Sequence, residues 1–118
     1  MAPTSYYKWA DLPQVEMTPK IRRRLVSGEK LMSVYFTLDE GAIVAEHQHP
    51  HEQITHVLSG RLEFEVNGEK RVIGAGEVVC IPSNAPHRVT VLEDTTALDV
   101  FSPPREDFLT GEKPDYMK

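Results

Sequence analysis

Residues 41–60 read Gly-Ala-Ile-Val-Ala-Glu-His-Gln-His-Pro-His-Glu-Gln-Ile-Thr-His-Val-Leu-Ser-Gly and hold four of the chain's five histidines, His47, His49, His51 and His56. His47 and His49 are two apart. Residues two apart on an extended strand point to the same face, so these two imidazoles can converge on one point. Pro50 stiffens the chain before Gln53. The fifth histidine, His87, follows a second glycine-led block, in which Gly76 and Pro82 are separated by five residues and His87 lies five beyond Pro82. The chain between the two blocks reads as scaffold that brings His87 to the first pair.

Outward from that stretch the pattern is all strand and turn. Ile21–Val26 and Leu31–Leu38 are rich in β-branched and aromatic residues. Gln53–Leu58 reads as a strand closed by Ser59-Gly60. Leu62, Phe64 and Val66 then alternate with Arg61, Glu63 and Glu65, as in a strand with one wet face. Asn67-Gly68 predicts a hairpin, because a type I′ turn needs positive φ at both positions. Strands follow over Glu69–Ile73, Val78–Pro82, His87–Leu92 and Ala97–Ser102, with Glu93-Asp94 as a turn. Pro103-Pro104 ends the last strand, and Arg105–Leu109 is long enough for one helical turn. Short strands at regular spacing without helical periodicity predict an all-β antiparallel barrel or sandwich.

The expected organisation is one domain over residues 1–118: an N-terminal arm (1–20), a barrel (21–102) and a loose polar tail (103–118). Tyr6, Tyr7 and Trp9 on the arm must cover either their own barrel or a partner's. The charge is acidic, with 13 Lys+Arg against 18 Asp+Glu, which gives no reason to expect nucleic acid. Arg22, Arg23 and Arg24 form the one basic run and read as a solvated strand edge. The single Cys80 excludes an internal disulfide, suits a reducing cytoplasm, and reads as a small buried hydrophobe. No apolar leader or membrane-length run is present, so a cytoplasmic protein without membrane contact is expected.

The two glycine-led blocks together resemble the paired motif of the cupin superfamily, small β-barrels that hold one metal ion inside. The likeness runs from about Gly28 to Phe101. It implies a jelly-roll barrel (double-stranded β-helix). This chain departs from the family's usual pattern with Gln53 in place of Glu, Asn84 in place of Gly and Val91 in place of Asn. Asn84 is a mild change, since Asn tolerates the left-handed backbone. Gln53 is a chemical one. Three imidazoles and an amide oxygen suit a first-row divalent ion, whether Zn, Ni, Mn, Fe or Co. Four neutral donors leave that ion its full charge, which disfavours a higher oxidation state and favours Lewis-acid chemistry on an anionic, chelating substrate.

His-Pro-His-Glu-Gln at 49–53, Leu-Asp-Val at 98–100 and Phe-Ser-Pro-Pro-Arg-Glu-Asp-Phe-Leu at 101–109 are similar to the pectin-degradation branch of the small cupins. That resemblance implies an enzyme that converts 4,5-unsaturated uronate monosaccharides from pectin or alginate to linear keto acids. It makes His47, His49, Gln53 and His87 the ligands of one divalent metal per chain, and Asp99 the catalytic carboxylate. Asp99 and Phe101 share one face of the last strand. Arg105 has the planar fork that clamps a carboxylate. Parity from Gln53 puts Thr55 on the ligand face and His56 on the other. His51, read as exposed at a turn, completes the set of candidate substrate contacts with Arg105, Phe101 and Thr55. The resemblance also implies a homodimer. Other readings stay open: a metal-dependent dioxygenase or sugar isomerase, or a non-catalytic sugar- or metal-binding module.

Overall fold

The computed structural model describes residues 2–117. The strands are β1 (Val15–Thr18), β2 (Ile21–Ser27), β3 (Met32–Leu38), β4 (Ile43–His47), β5 (Glu52–Val66), β6 (Glu69–Gly74), β7 (Val78–Ile81) and β8 (His87–Ser102). A single helical turn, α1 (Glu106–Leu109), follows, and short 3-10 turns span Trp9–Asp11 and Asp115–Met117.

All strand pairs are antiparallel, and the two long strands serve both layers of the fold. The first half of β5, carrying Gln53, Thr55 and Val57, pairs with β7 and with the second half of β8. The second half of β5, carrying Leu62 and Phe64, pairs with β6 and with the first half of β8. β4 flanks the first half of β8, while β3, β2 and β1 extend from its second half. Two layers that face each other and share their long strands make the expected jelly roll. Inward positions alternate as the pleat requires, with Met32, Val34, Phe36 and Leu38 buried along β3.

The inward parity of β5 changes partway. Gln53, Thr55 and Val57 are buried, and then Leu62 and Phe64. A register shift between Val57 and Leu62 inserts the extra residue that makes this switch. Gly60 sits there at φ +91°, where a Cβ would lie 2.3 Å from Thr95 Oγ1 and 2.4 Å from the Asp94 carbonyl oxygen. The strand expected to close at Ser59-Gly60 therefore bends and continues. The turn expected at Glu93-Asp94 is likewise strand, with Glu93 paired to Arg61. The Asn67-Gly68 hairpin forms as expected, with φ of 51° and 81°.

Four further expectations are corrected. The arm is not separate from the core: β1 pairs with β2 and buries Met17. The arginine run is not a solvated edge. Arg23 is 3% exposed, with Nε directed at Met17 Sδ (3.2 Å) and Nη2 donating to the Phe108 carbonyl (3.1 Å). Arg24 donates to the carbonyls of Trp9, Ala10 and Leu12, and Arg22 pairs with Asp39 at 2.8 Å. Cys80 is exposed, because the inward position of β7 falls to Ile81. The polar tail is not loose throughout: Met117 is buried, and Tyr116 stacks on His47. Trp9 packs on Tyr35 of its own chain, whereas Tyr6 and Tyr7 stand 90% and 56% exposed.

Candidate metal centre

The site lies between the two layers at one end of the barrel. β4 ends at His47, which is opposite His87 in the β4–β8 register. His49 follows immediately on the loop. Gln53 and Thr55 come from the first half of β5, where their register partners on β8 are Phe101 and Asp99. One layer thus contributes His47 and His87, and the other contributes Gln53, Thr55, Asp99 and Phe101. Asn84, in the loop before His87, adopts φ +64° and donates its N–H to the His49 carbonyl (2.8 Å). That bond ties the second block to the first.

His47, His49 and His87 each offer a ring nitrogen, and these three atoms lie within 4.8 Å of one another. Their other nitrogens meet backbone carbonyls. His47 Nδ1 lies 2.8 Å from Ala45 O, His87 Nδ1 2.9 Å from Ala85 O, and His49 Nδ1 3.1 Å from His51 O. In a neutral imidazole the nitrogen facing a carbonyl carries the proton. This arrangement leaves Nε2 of each ring as a lone pair. Burial, with mutual repulsion and the charge of Arg105, holds the rings neutral: His47 is lowered to about 3, His49 to about 4, and His87 is also lowered.

Gln53 is oriented by its own amide. Its Nε2 donates to Thr55 Oγ1 (3.0 Å) and to Asp99 Oδ2 (3.3 Å), which turns Oε1 toward His49 Nε2 at 3.1 Å. With the His49 proton on Nδ1, that last contact joins two lone pairs. His87 Nε2 is buried with no hydrogen-bond partner among the described residues, and a buried polar atom left so costs about 1–3 kcal/mol. A cation bound between these atoms resolves both oddities. The donor set fits a divalent first-row metal.

Beside the triad lies a buried cation. Arg105 is 4% exposed; its Nε and Nη2 donate to the Asp107 carboxylate at 3.1 and 2.7 Å, and Nη2 also donates to the Tyr116 hydroxyl. Its guanidinium lies over the rings of Phe108 (4.2 Å) and Phe101 (5.1 Å). It is therefore a buried group and not a surface arginine. Burial pushes the Asp99 carboxyl up to about 7, against the downward pull of the Thr55 hydroxyl and Arg105. Gln53, Thr55, Asp99, Phe101 and Arg105 all line the cavity that reaches His47 and His87.

Two histidines stand apart. His51 is half-buried and not exposed as expected; it packs edge-on against His49 (5.3 Å) and Phe101 (6.4 Å), outside the cavity wall. His56 pairs with Leu98 and Val78 on the outer side of the sheet, as its parity predicts. Asp107 and Phe108, which hold and cover Arg105, were not anticipated from sequence, and neither was Tyr116. The Tyr116 ring lies parallel to His47, 3.6 Å between centroids and 10° between planes. An aromatic within a polar tail was the only signal for it.

The wider comparisons agree with this geometry. The Cupin domain family matches residues 34–102. The pectin degradation protein KdgF of Dickeya dadantii is 36% identical over 107 residues, which cover 88% of this chain and 97% of the relative. Among solved structures, KdgF from Halomonas sp. superposes with a TM-score of 0.85 at 33% identity, covering 90% of this chain and 99% of that one. An RmlC-like cupin from Shewanella frigidimarina gives the same TM-score at 26% identity, over 90% and 96% of the two chains. A family match across most of the strand scaffold, and relatives matched over nearly their whole length, agree with the paired blocks around His47 and His87: the chain belongs to the cupin family.

Proposed function

We propose that this cupin uses a divalent metal to open the ring of 4,5-unsaturated uronate monosaccharides released from pectin or alginate, giving linear keto acids. The carrying observation is the company Asp99 keeps. A buried carboxyl with its proton affinity near neutrality shares one cavity with an uncharged His/Gln donor set and a buried guanidinium. The similarity to proteins named KdgF, one of them called a pectin degradation protein, supports the same reading.

His47, His49, His87 and Gln53 Oε1 would hold the ion. Bound there, it would act as a Lewis acid, favouring negative charge on a neighbouring substrate oxygen. Arg105, held rigid by Asp107, orients the sugar carboxylate. Phe101 and Phe108 wall the cavity with apolar surface and exclude water. Asp99 takes the proton of the anomeric hydroxyl. The C1 carbonyl forms, the bond from C1 to the ring oxygen breaks, and that oxygen becomes an enolate beside the carboxylate. The enolate takes a proton at C4 to give the ketone, so no net redox change occurs and the proton borrowed by Asp99 is returned. A carboxyl that titrates near neutral pH suits both halves of such a transfer.

The test is to supply 4,5-unsaturated galacturonate and follow the ultraviolet absorbance of its conjugated double bond, with and without chelator. Chelator-sensitive loss of absorbance is expected. Persistence of the absorbance with metal-loaded protein would remove this reaction.

A further inference from the structure

The cavity beside the histidines measures about 50 Å³. That is room for a few water molecules and far too little for a hexuronate. The cavity is partly open to solvent, so a sugar can approach it, but a ring seated fully beside the triad needs part of the wall to move. Most of the lining, including His47, Gln53, His87, Asp99 and Phe101, stands on strands held in ladders. Arg105 is held by Asp107, and Phe108 by α1, whose last carbonyls are tied to Arg23 and to the chain beyond it.

Tyr116 and Met117 differ. They ride on the 3-10 turn Asp115–Met117, which joins no strand ladder: its backbone bond runs from Met117 N–H to the neighbouring Pro114 carbonyl (2.9 Å), and side-chain packing, with Met117 buried, seats it against the barrel. Tyr116 touches the two groups a uronate would need. Its ring covers His47, and its hydroxyl accepts from Arg105 Nη2. An oxygen on that guanidinium nitrogen stands where one oxygen of a carboxylate would stand.

We propose that the C-terminal turn is the movable wall of this site and that Tyr116 is its latch. Its hydroxyl fills the anion position on Arg105 until a carboxylate displaces it, and its ring shields His47 while the site is closed. The inference rests on the reading of the substrate as a sugar carboxylate. It adds selectivity for that class, because a sugar without a carboxylate has nothing with which to replace the hydroxyl on Arg105. A protein whose competent state is partly populated binds its ligand more weakly by that fraction. Loosening the latch should therefore tighten apparent binding, whereas removing a true ligand contact should weaken it.

The experiment uses the full-length protein loaded with Co²⁺ and compares wild type, Tyr116→Phe and Tyr116→Ala. D-galacturonate, which is saturated at C4 and C5, and uncharged D-galactose are titrated by calorimetry. Release of Co²⁺ to excess chelator is timed by visible absorbance. Circular dichroism confirms the strand content of each variant, and the conservative Tyr116→Phe keeps the ring and its packing. Galacturonate should bind Tyr116→Phe about tenfold tighter, the scale of one hydrogen bond to a charged group, with little change for galactose. Tyr116→Ala should also release Co²⁺ several-fold faster. Unchanged or weaker galacturonate binding in Tyr116→Phe would overturn the latch, as would an unchanged release rate in Tyr116→Ala. Failure of wild type to consume the unsaturated uronate, with both shifts present, would remove the reaction and leave the latch standing.

Discussion

Gln53 Nε2 lies 3.3 Å from Asp99 Oδ2. The same amide presents its oxygen to His49, so a single side chain couples the metal-side donors to the carboxyl on the opposite wall. An ionised glutamate cannot make that connection, because it has no hydrogen to give.

Gln53→Glu should therefore keep its metal, since an added carboxylate strengthens cation binding, yet turn over more slowly. It would set two carboxylates about 3.3 Å apart. Like charges at that distance hold a proton between them, so Asp99 would stay protonated to higher pH. The pH profile of kcat/KM should move to higher pH in the variant, with metal content unchanged by elemental analysis. Coincident profiles would remove the coupling.

Asp99→Asn should lose about a hundredfold to ten-thousandfold in kcat while keeping its metal. In wild type, kcat/KM should rise as pH climbs toward about 7 and the Asp99 carboxyl ionises. A bound cation favours the carboxylate, which places the midpoint at or below that value. The variant should lack this limb. Wild-type kcat in Asp99→Asn would end its role as the base.

The histidines predict acid sensitivity of the metal-free fold. His47, His49, His51 and His87 are all lowered from 6.5, so below 6.5 the unfolded chain binds more protons than the folded one. Their contribution is complete above 6.5 and is lost as pH falls through about 4 for His49 and about 3 for His47. Asp99, raised from 3.8 to about 7, works in the opposite direction: its contribution is complete below 3.8 and is lost as pH rises through about 7. Four groups against one make stability rise with pH across this window. Urea midpoints measured along it should show that slope. His47→Ala/His49→Ala protein should show a shallower slope and no bound metal, with the β signature in circular dichroism retained.

Gly60→Ala should be strongly destabilising. The new Cβ would meet Thr95 Oγ1 and the Asp94 carbonyl, and rotation of a side chain cannot relieve the second. A fall in Tm of roughly 5–15 °C is expected for a chain of this size. Metal content per folded molecule should be unaffected. A wild-type melting curve would show that the bulge relaxes freely.

The local pattern by itself determined the repeating strands and the Asn67-Gly68 turn. Each depends on backbone parity or on a φ value that few residues adopt, and both are local properties. The resemblance of the paired blocks to the cupin motif added His87 and Gln53, and the fold brings both beside His47 and His49. Only the tertiary structure decided which residues of β7 face inward. Val78-Val79-Cys80-Ile81 has no alternation to read, so Cys80 fell outside and Ile81 inside once β7 had paired with β5. Local pattern also could not show that Arg23 and Arg105 are buried. Their partners, the Phe108 carbonyl and the Asp107 and Tyr116 side chains, come together only when α1 and the C-terminal turn fold back over the barrel mouth. Tyr116 makes the point most directly: nothing within the polar tail specifies a ring stacked on His47, sixty-nine positions earlier in the chain. That contact exists because the 3-10 turn Asp115–Met117 packs against β4, whose last residue is His47.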